Sequence, residues 1–302
     1  MDLRIANVVH AGIETIAMDY RGDLLDVCAV ERRLGLDPPV GRIAGEPNSF
    51  RHRVFSLGLA GLDEVAEGLG DGRPPAEALL NPKLCLFLPP TLADRAIVEF
   101  DVLADDRAPR LRWGVARGLQ GHDTPLRIPA DEPQPQLTVQ VAAVLGEDLR
   151  NVTPDQAAPS IAGYTILCQW SFPSRERLSP GWGRNRVGQL GPWLVTRRDP
   201  FDPTQAAIAI SVNGRPVLAA PGRRWRWSFP ELVAFASDGC DLLAGDIVAS
   251  GPLACASSDG GTALRDGFVV SARVEGLGVV SGMIVGCPER SWFLRERGGS
   301  VR

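Results

Sequence analysis

Glycine and proline punctuate this chain so densely, at 33 and 25 of 302 residues, that a turn-rich fold containing β-structure is favoured over a helical bundle. The local pattern agrees. Leu137, Val139 and Val141 alternate with Thr138, Gln140 and Ala142, a two-residue period that marks a strand ending at Gly146. Asn213-Gly214, between the runs Ala207–Val212 and Arg215–Ala219, is the dipeptide that a type I′ hairpin turn requires. Thr153-Pro-Asp-Gln156 and Ser228-Phe-Pro-Glu231 read as capping boxes. They open one helix to about Ile161, ended by Gly163, and another through Ala236. Leu62, Val65, Ala66 and Leu69 recur at helical spacing, which predicts a short helix over Leu62–Leu69. The first 45 or so residues read as a small β-rich module. The polar, proline-rich stretch Gly70–Ala76 is the best boundary, dividing a module of residues 1–75 from a domain of residues 76–302. Asp101–Gln136 shows no clear periodicity. Val269–Glu275 is expected to return through a turn at Gly276-Leu-Gly278.

At 44% hydrophobic and 23% charged residues, the chain has the composition of an ordinary globular protein with a full core. Thirty-two basic residues against 36 acidic ones give a net charge of −4, so no global field recruits nucleic acid or an anionic membrane. Lys83 is the sole lysine, so ammonium or Schiff-base chemistry has one candidate. Six scattered cysteines without a C-x-x-C read as reduced thiols of a cytoplasmic protein. The chain lacks a secretory start and any apolar run of about 18 residues, so it is expected to be neither exported nor membrane-spanning.

Most catalytic signatures are missing, among them G-x-S-x-G, H-E-x-x-H and an EF-hand loop. The lysine follows Pro82 rather than a glycine, which excludes a P-loop. Gly276–Gly282 imitates a dinucleotide fingerprint with the wrong spacing and reads as a hairpin turn. Arg223-Arg-Trp-Arg-Trp227 interleaves charge with aromatics; packing of Arg on Trp is favoured over base stacking because the chain is acidic. His52, between two arginines, reads as a surface residue. His122 has the type of a triad base without an accompanying serine motif.

Six segments occur in an order that resembles the fumarylacetoacetate hydrolase family. They are Asn151-Val-Thr-Pro-Asp155 with Ala162-Gly-Tyr-Thr165, Leu190-Gly-Pro-Trp-Leu-Val-Thr196, Val212-Asn-Gly214, Phe229-Pro-Glu-Leu232, Ala244-Gly-Asp-Ile-Val-Ala-Ser-Gly-Pro252 and Val274-Glu-Gly-Leu-Gly278. The resemblance spans roughly residues 54–286. It implies an α+β, mostly β fold: a distorted β-roll with flanking helices, a small N-terminal β-rich module and a homodimeric assembly. It further implies chemistry on acylpyruvates and related oxo acids, with Mg²⁺ or a similar cation held by three carboxylates.

An E-x-E on a strand points both carboxylates to one face, because the side-chain period is two. Here the resemblance places those positions on Thr138 and Gln140, and the third carboxylate on Gln169. All three replacements are neutral, and neutral oxygens alone hold Mg²⁺ poorly. The family lysine before Gly-Pro-Trp aligns near Trp182, and Ser250 stands where a Thr-Gly-Thr-Pro motif would meet a substrate oxo group or carboxylate. The lid-helix H-x-x-E reads Glu64-Val-Ala-Glu67, whose two carboxylates are the candidate acid/base pair. Three readings follow. One is a metal-independent, cofactor-free lyase, isomerase or cyclase acting on a small oxo or polyketide-like metabolite of secondary metabolism. Here Thr138, Gln140, Gln169, Trp182 and Ser250 bind the substrate. The second is a non-catalytic homologue that binds a ligand or partner. The third is a conventional Mg²⁺-dependent hydrolase or decarboxylase whose ligands come from Glu147, Asp148 or Glu176 through a different register.

Overall fold

The computed structural model describes residues 3–36, 50, 54–55, 59, 61–70, 72–104, 107–179, 181–184, 187–196, 205–222, 225–257 and 264–287. Strands β1 (Arg4–His10), β2 (Ile13–Tyr20) and β3 (Asp23–Asp26) form an antiparallel meander. A helix that the β-rich reading did not anticipate follows: in α1 (Val27–Leu34), Asp26 Oδ1 accepts the N–H groups of Cys28 and Ala29 and caps the first turn. Helix α2 (Leu62–Leu69) has the expected bounds, and Leu62, Val65 and Leu69 form its buried face. The short strands β4 (Leu79–Leu80) and β5 (Cys85–Leu88) pair with β3 and β1. The N-terminal sheet therefore continues past residue 75, across the boundary expected from composition.

The rest of the chain gives β6 (Ala96–Phe100), β7 (Leu111–Val115), β8 (Leu119–Gln120), β9 (Leu126–Pro129) and β10 (Gln136–Leu145). Then come α3 (Pro154–Ser160), β11 (Ile161–Ser171), α4 (Pro173–Leu178), β12 (Val187–Thr196), β13 (Ile208–Val212), β14 (Arg215–Ala220) and α5 (Phe229–Ala236). Strands β15 (Ile247–Ala249), β16 (Ala254–Ser257), β17 (Val269–Val274) and β18 (Gly278–Cys287) complete the order. Both capping boxes are formed, and Asn213 and Gly214 both have positive φ, as a type I′ turn needs. The stretch Asp101–Gln136, without clear periodicity, contains β7, β8 and β9, each too short for a period to show. One expectation is corrected. Gly163 does not end α3 but lies inside β11, where an added Cβ would sit 2.5 Å from the Val195 carbonyl oxygen.

Among the described residues, one sheet runs β4-β3-β2-β1-β12-β11-β10-β15-β6-β7, with β16 on β10, β5 on β1 and β8 on β12. The chain leaves β7 through a turn at residues 116–118 and enters β8, which pairs in parallel with β12. That link joins the two sides of the β12–β11–β10–β15–β6–β7 segment and closes it into a roll. A second sheet, β14-β13-β17-β18-β9, covers the outside. Val139, Val141, Ala143 and Leu145 of β10 face it in the main core, together with α5 side chains Phe229, Leu232 and Val233. The opposite face of β10 lines the roll's interior: Ala142 packs with Ile97, Leu167, Leu190, Ile247 and Ala249. Thr138 and Gln140 continue that face towards one end.

Candidate functional site

Period-two geometry brings the three expected positions together. Thr138 pairs with Gln169 across β10 and β11, and Gln140 lies two residues on, on the same face. Gln140 is wholly buried and Gln169 nearly so. The Gly251 N–H donates to Gln140 Oε1 at 3.0 Å, which fixes the amide's orientation. Gln140 Nε2 then points the other way and donates to Gln169 Oε1 at 2.8 Å and to Glu99 Oε1 at 3.3 Å. The Thr138 hydroxyl donates to the Gln169 carbonyl at 3.2 Å.

Glu99 was not found from the sequence. It sits on β6, buried, beside Ala249 of β15 in the register that carries it towards Gln140. Its partner in the antiparallel β6–β7 pair is Arg112, whose guanidinium reaches Glu99 Oε1 at 2.9 Å. Arg112 remains half exposed, and Glu99 Oε2 accepts no hydrogen bond among the described residues. The available signal was a single acid inside the apolar run Ala96-Ile-Val-Glu-Phe100, opposite an arginine in Leu111-Arg-Trp-Gly-Val115; the pairing that joins them is long-range and has no local mark.

The remaining candidates lie elsewhere or are committed. Ser250 is buried, but its Oγ accepts Val141 N–H at 3.2 Å and donates to the Gly251 carbonyl at 2.8 Å, so it fixes the turn that presents Gly251. Gly251 has φ +81°, and an added Cβ would lie 1.7 Å from the Phe100 carbonyl oxygen, so only glycine fits there. The Trp182 ring lies 6.0 Å from the Arg175 guanidinium, which is itself held by Asp131 at 2.6 Å and Glu132 at 3.3 Å. Glu64 and Glu67 are both exposed on the solvent side of α2, whose buried face belongs to the N-terminal core with Val27, Val30 and Phe50. No hydrogen bond or ion pair among the described residues links them to Gln140 or Glu99.

Neighbouring nucleophiles and bases are also accounted for. Cys168 faces the main core, and burial pushes its thiol up to about 12, leaving it protonated and inert. His122 accepts the Ser281 N–H at Nδ1, 3.2 Å, and packs edge-on against Phe87; burial lowers its pKa, partly offset by Asp123. None of the six cysteines forms a disulfide. Lys83 is exposed. Trp225 is buried, and Arg226 lies over the Trp227 ring, while His52, Arg223 and Arg224 fall outside the described residues.

The donor set does not fit the divalent cation that the fold implies. An amide N–H of Gln140 occupies the space between the Gln169 and Glu99 oxygens, and the single carboxylate is already paired with Arg112. Hard cations need several oxygen ligands, at least some of them anionic. Among the described residues, no three His, Cys, Asp or Glu side chains are grouped to hold a metal. Of the alternative ligands, Glu147 is exposed and the other two are engaged away from the site. Asp148 accepts the Ala244 N–H, and Glu176 accepts the N–H groups of Gly181 and Gly183.

Comparison with known proteins places this geometry. Protein Rv2993c of Mycobacterium tuberculosis is 27% identical over 237 residues, 77% of this chain and 75% of that protein. The solved fumarylacetoacetate hydrolase of the psychrophile Exiguobacterium antarcticum superposes with a TM-score of 0.71 at 17% identity, covering 94% of this chain and all of that one. The 2-hydroxyhepta-2,4-diene-1,7-dioate isomerase of Mycobacterium marinum gives a TM-score of 0.66 at 20% identity, covering 95% of this chain and 100% of that one. The model of the fumarylacetoacetate (FAA) hydrolase C-terminal region matches residues 93–285, most of the chain, and the protein is a divergent member of the fumarylacetoacetate hydrolase family.

Proposed function

We propose that the chain transforms a small oxo acid, or a polyketide-like oxo metabolite of secondary metabolism, in the mouth of the roll without a divalent metal or other cofactor. The observation that carries this reading is the Glu99–Arg112 pair set against Gln140. Glu99 Oε1 is held by two donors while Oε2 accepts none among the described residues. Such a carboxylate can take a proton from the carbon next to a substrate oxo group and return it to a conjugated carbon, an isomerisation in which protons balance. The N–H groups of Arg112 that Glu99 does not use supply positive charge for the substrate carboxylate or the developing enolate, a role a metal plays elsewhere. Gln140 acts as the positioning residue that orients Glu99, and lyase or ring-closing outcomes begin from the same enolate. The family's hydrolases and isomerases of small acids support the substrate class.

The saturation of Gln140 by three neighbours favours a second reading, a non-catalytic binding protein, because a closed network of this kind also serves structure alone. Deuterium exchange separates the two. In D₂O containing EDTA, a panel of 2-oxo and 1,3-dioxo acids should gain deuterium at the carbon beside the oxo group. Glu99→Gln should slow that exchange by about 10²-fold or more. Exchange that requires Mg²⁺, or that is unaltered in Glu99→Gln, overturns the proposal.

A further inference from the structure

A cleft on the N-terminal side of the roll shares no residue with the Glu99–Gln140–Gln169 group, although Ala116 and Leu119 of its wall also pack in the roll's interior. At Asn7 the edge partner of β1 changes: Arg4 and Ile5 pair with β12, whereas Asn7 to His10 pair with β5. Beyond Leu88, β5 gives way to Pro89-Pro90, which have no N–H to continue the ladder. The gap is a cleft of about 330 Å³, a size that suits a small molecule. Its walls are mostly apolar, with Leu88, Leu92 and Leu119 prominent.

Three polar residues break that wall; the Thr91 hydroxyl donates to the Gly245 carbonyl, which leaves Asn7 and Glu14. Asn7 is 6% exposed, and its Oδ1 is buried without a hydrogen-bond partner among the described residues. A buried amide left in this state costs free energy that a ligand donor would recover. Glu14 lies on the same face, because it pairs with Val9 and therefore sits diagonally across the ladder from Asn7. It makes no hydrogen bond or ion pair among the described residues. Among the described residues lining the cleft, Glu14 is the one charged group. An unpaired carbonyl oxygen and a carboxylate, both acceptors, at the end of an apolar slot call for a cationic donor with a hydrophobic body.

We infer that this cleft binds a primary amine carrying a short apolar tail. The ammonium group bridges Asn7 Oδ1 and the Glu14 carboxylate, and the tail lies along Leu88, Leu92 and Leu119. Phe50 also lines the cleft and can add attraction to the cation. The inference uses none of Glu99, Arg112, Gln140 and Gln169, and its test reads binding and not turnover.

The experiment is calorimetric titration of the full chain with hexylamine, with hexanol and hexanoate as neutral and anionic counterparts of the same length. Saturable binding of hexylamine is expected, with hexanol and hexanoate at least about ten-fold weaker. Glu14→Gln should weaken hexylamine by about ten-fold or more while the melting temperature stays unchanged. Ala93→Trp is an independent check at an exposed residue lining the cleft, and it should block the amine without touching either polar group. Equal binding of hexanol and hexylamine overturns the inference. So does an unchanged affinity in Glu14→Gln, or an absence of saturable binding up to about 10 mM.

Discussion

At the residue scale the site turns on one amide. Gln140 joins three strands' worth of polar groups because Gly251 fixes its oxygen end and leaves its nitrogen facing Glu99 and Gln169. Gly251→Ala should therefore be costly: the positive φ alone costs more than about 1 kcal/mol, and the contact with the Phe100 carbonyl forces the backbone apart. Denaturant unfolding should show a lower midpoint than wild type. His122 supplies a pH-dependent prediction. Burial depresses its folded-state pKa, so its stability contribution is present above the unfolded value of about 6.5 and is lost as pH falls through the folded value. The urea midpoint should fall as pH drops from about 7 to about 5, and His122→Asn, which keeps an acceptor for Ser281 N–H, should flatten that fall. The shared face of Thr138 and Gln140 was legible in the sequence because it follows from a two-residue period, whereas Gln169 was placed with them by the family resemblance alone. Glu99 and Arg112 were not legible, because β10 meets them only through β15 and a register that no local pattern encodes.

At the element scale, local chemistry decided what could be read. The boxes at Thr153 and Ser228 place their helix starts correctly because capping depends on residues three apart. Thr153→Ala or Ser228→Ala should each cost about 1 kcal/mol, measured as a shift in chemical-denaturation midpoint at unchanged slope. Helix α1 escaped notice although Asp26 marks it, since it interrupts a run of strands and spans only eight residues. Gly163 was misread for the opposite reason. A glycine after a helix suggests a stop, but this one is required where β11 approaches β12 closely. Helix α2 has the expected bounds, yet its orientation against the N-terminal core turns Glu64 and Glu67 outward, and spacing alone cannot tell which face of a helix meets the protein.

At the scale of the whole molecule, a single sheet ties the N-terminal module to the roll. β1 pairs with β12, and Val144, Ala162 and Leu194 of the roll lie in the same core as Ile5, Ile16 and Leu25 of the module. A chain beginning at Ala93, where the family match starts, would expose that core and the β12 edge, and it should fail to unfold cooperatively on heating. Among the described residues, no helix is long and apolar enough to cross a membrane. The family and its roll were legible from ordered turns and caps, whereas the closing of the roll by β7 and β8 was not, because each is too short to show a period. The central claim is that the family's metal position has become a neutral hydrogen-bonded network. Calorimetric titration of the chain with Mg²⁺ and Mn²⁺, beside the Thr138→Glu, Gln140→Glu, Gln169→Asp triple variant, tests it directly. The account predicts no saturable binding by the unsubstituted chain and a one-to-one site in the variant; a stoichiometric Mg²⁺ or Mn²⁺ site in the unsubstituted chain, abolished by substituting Gln140, would contradict it.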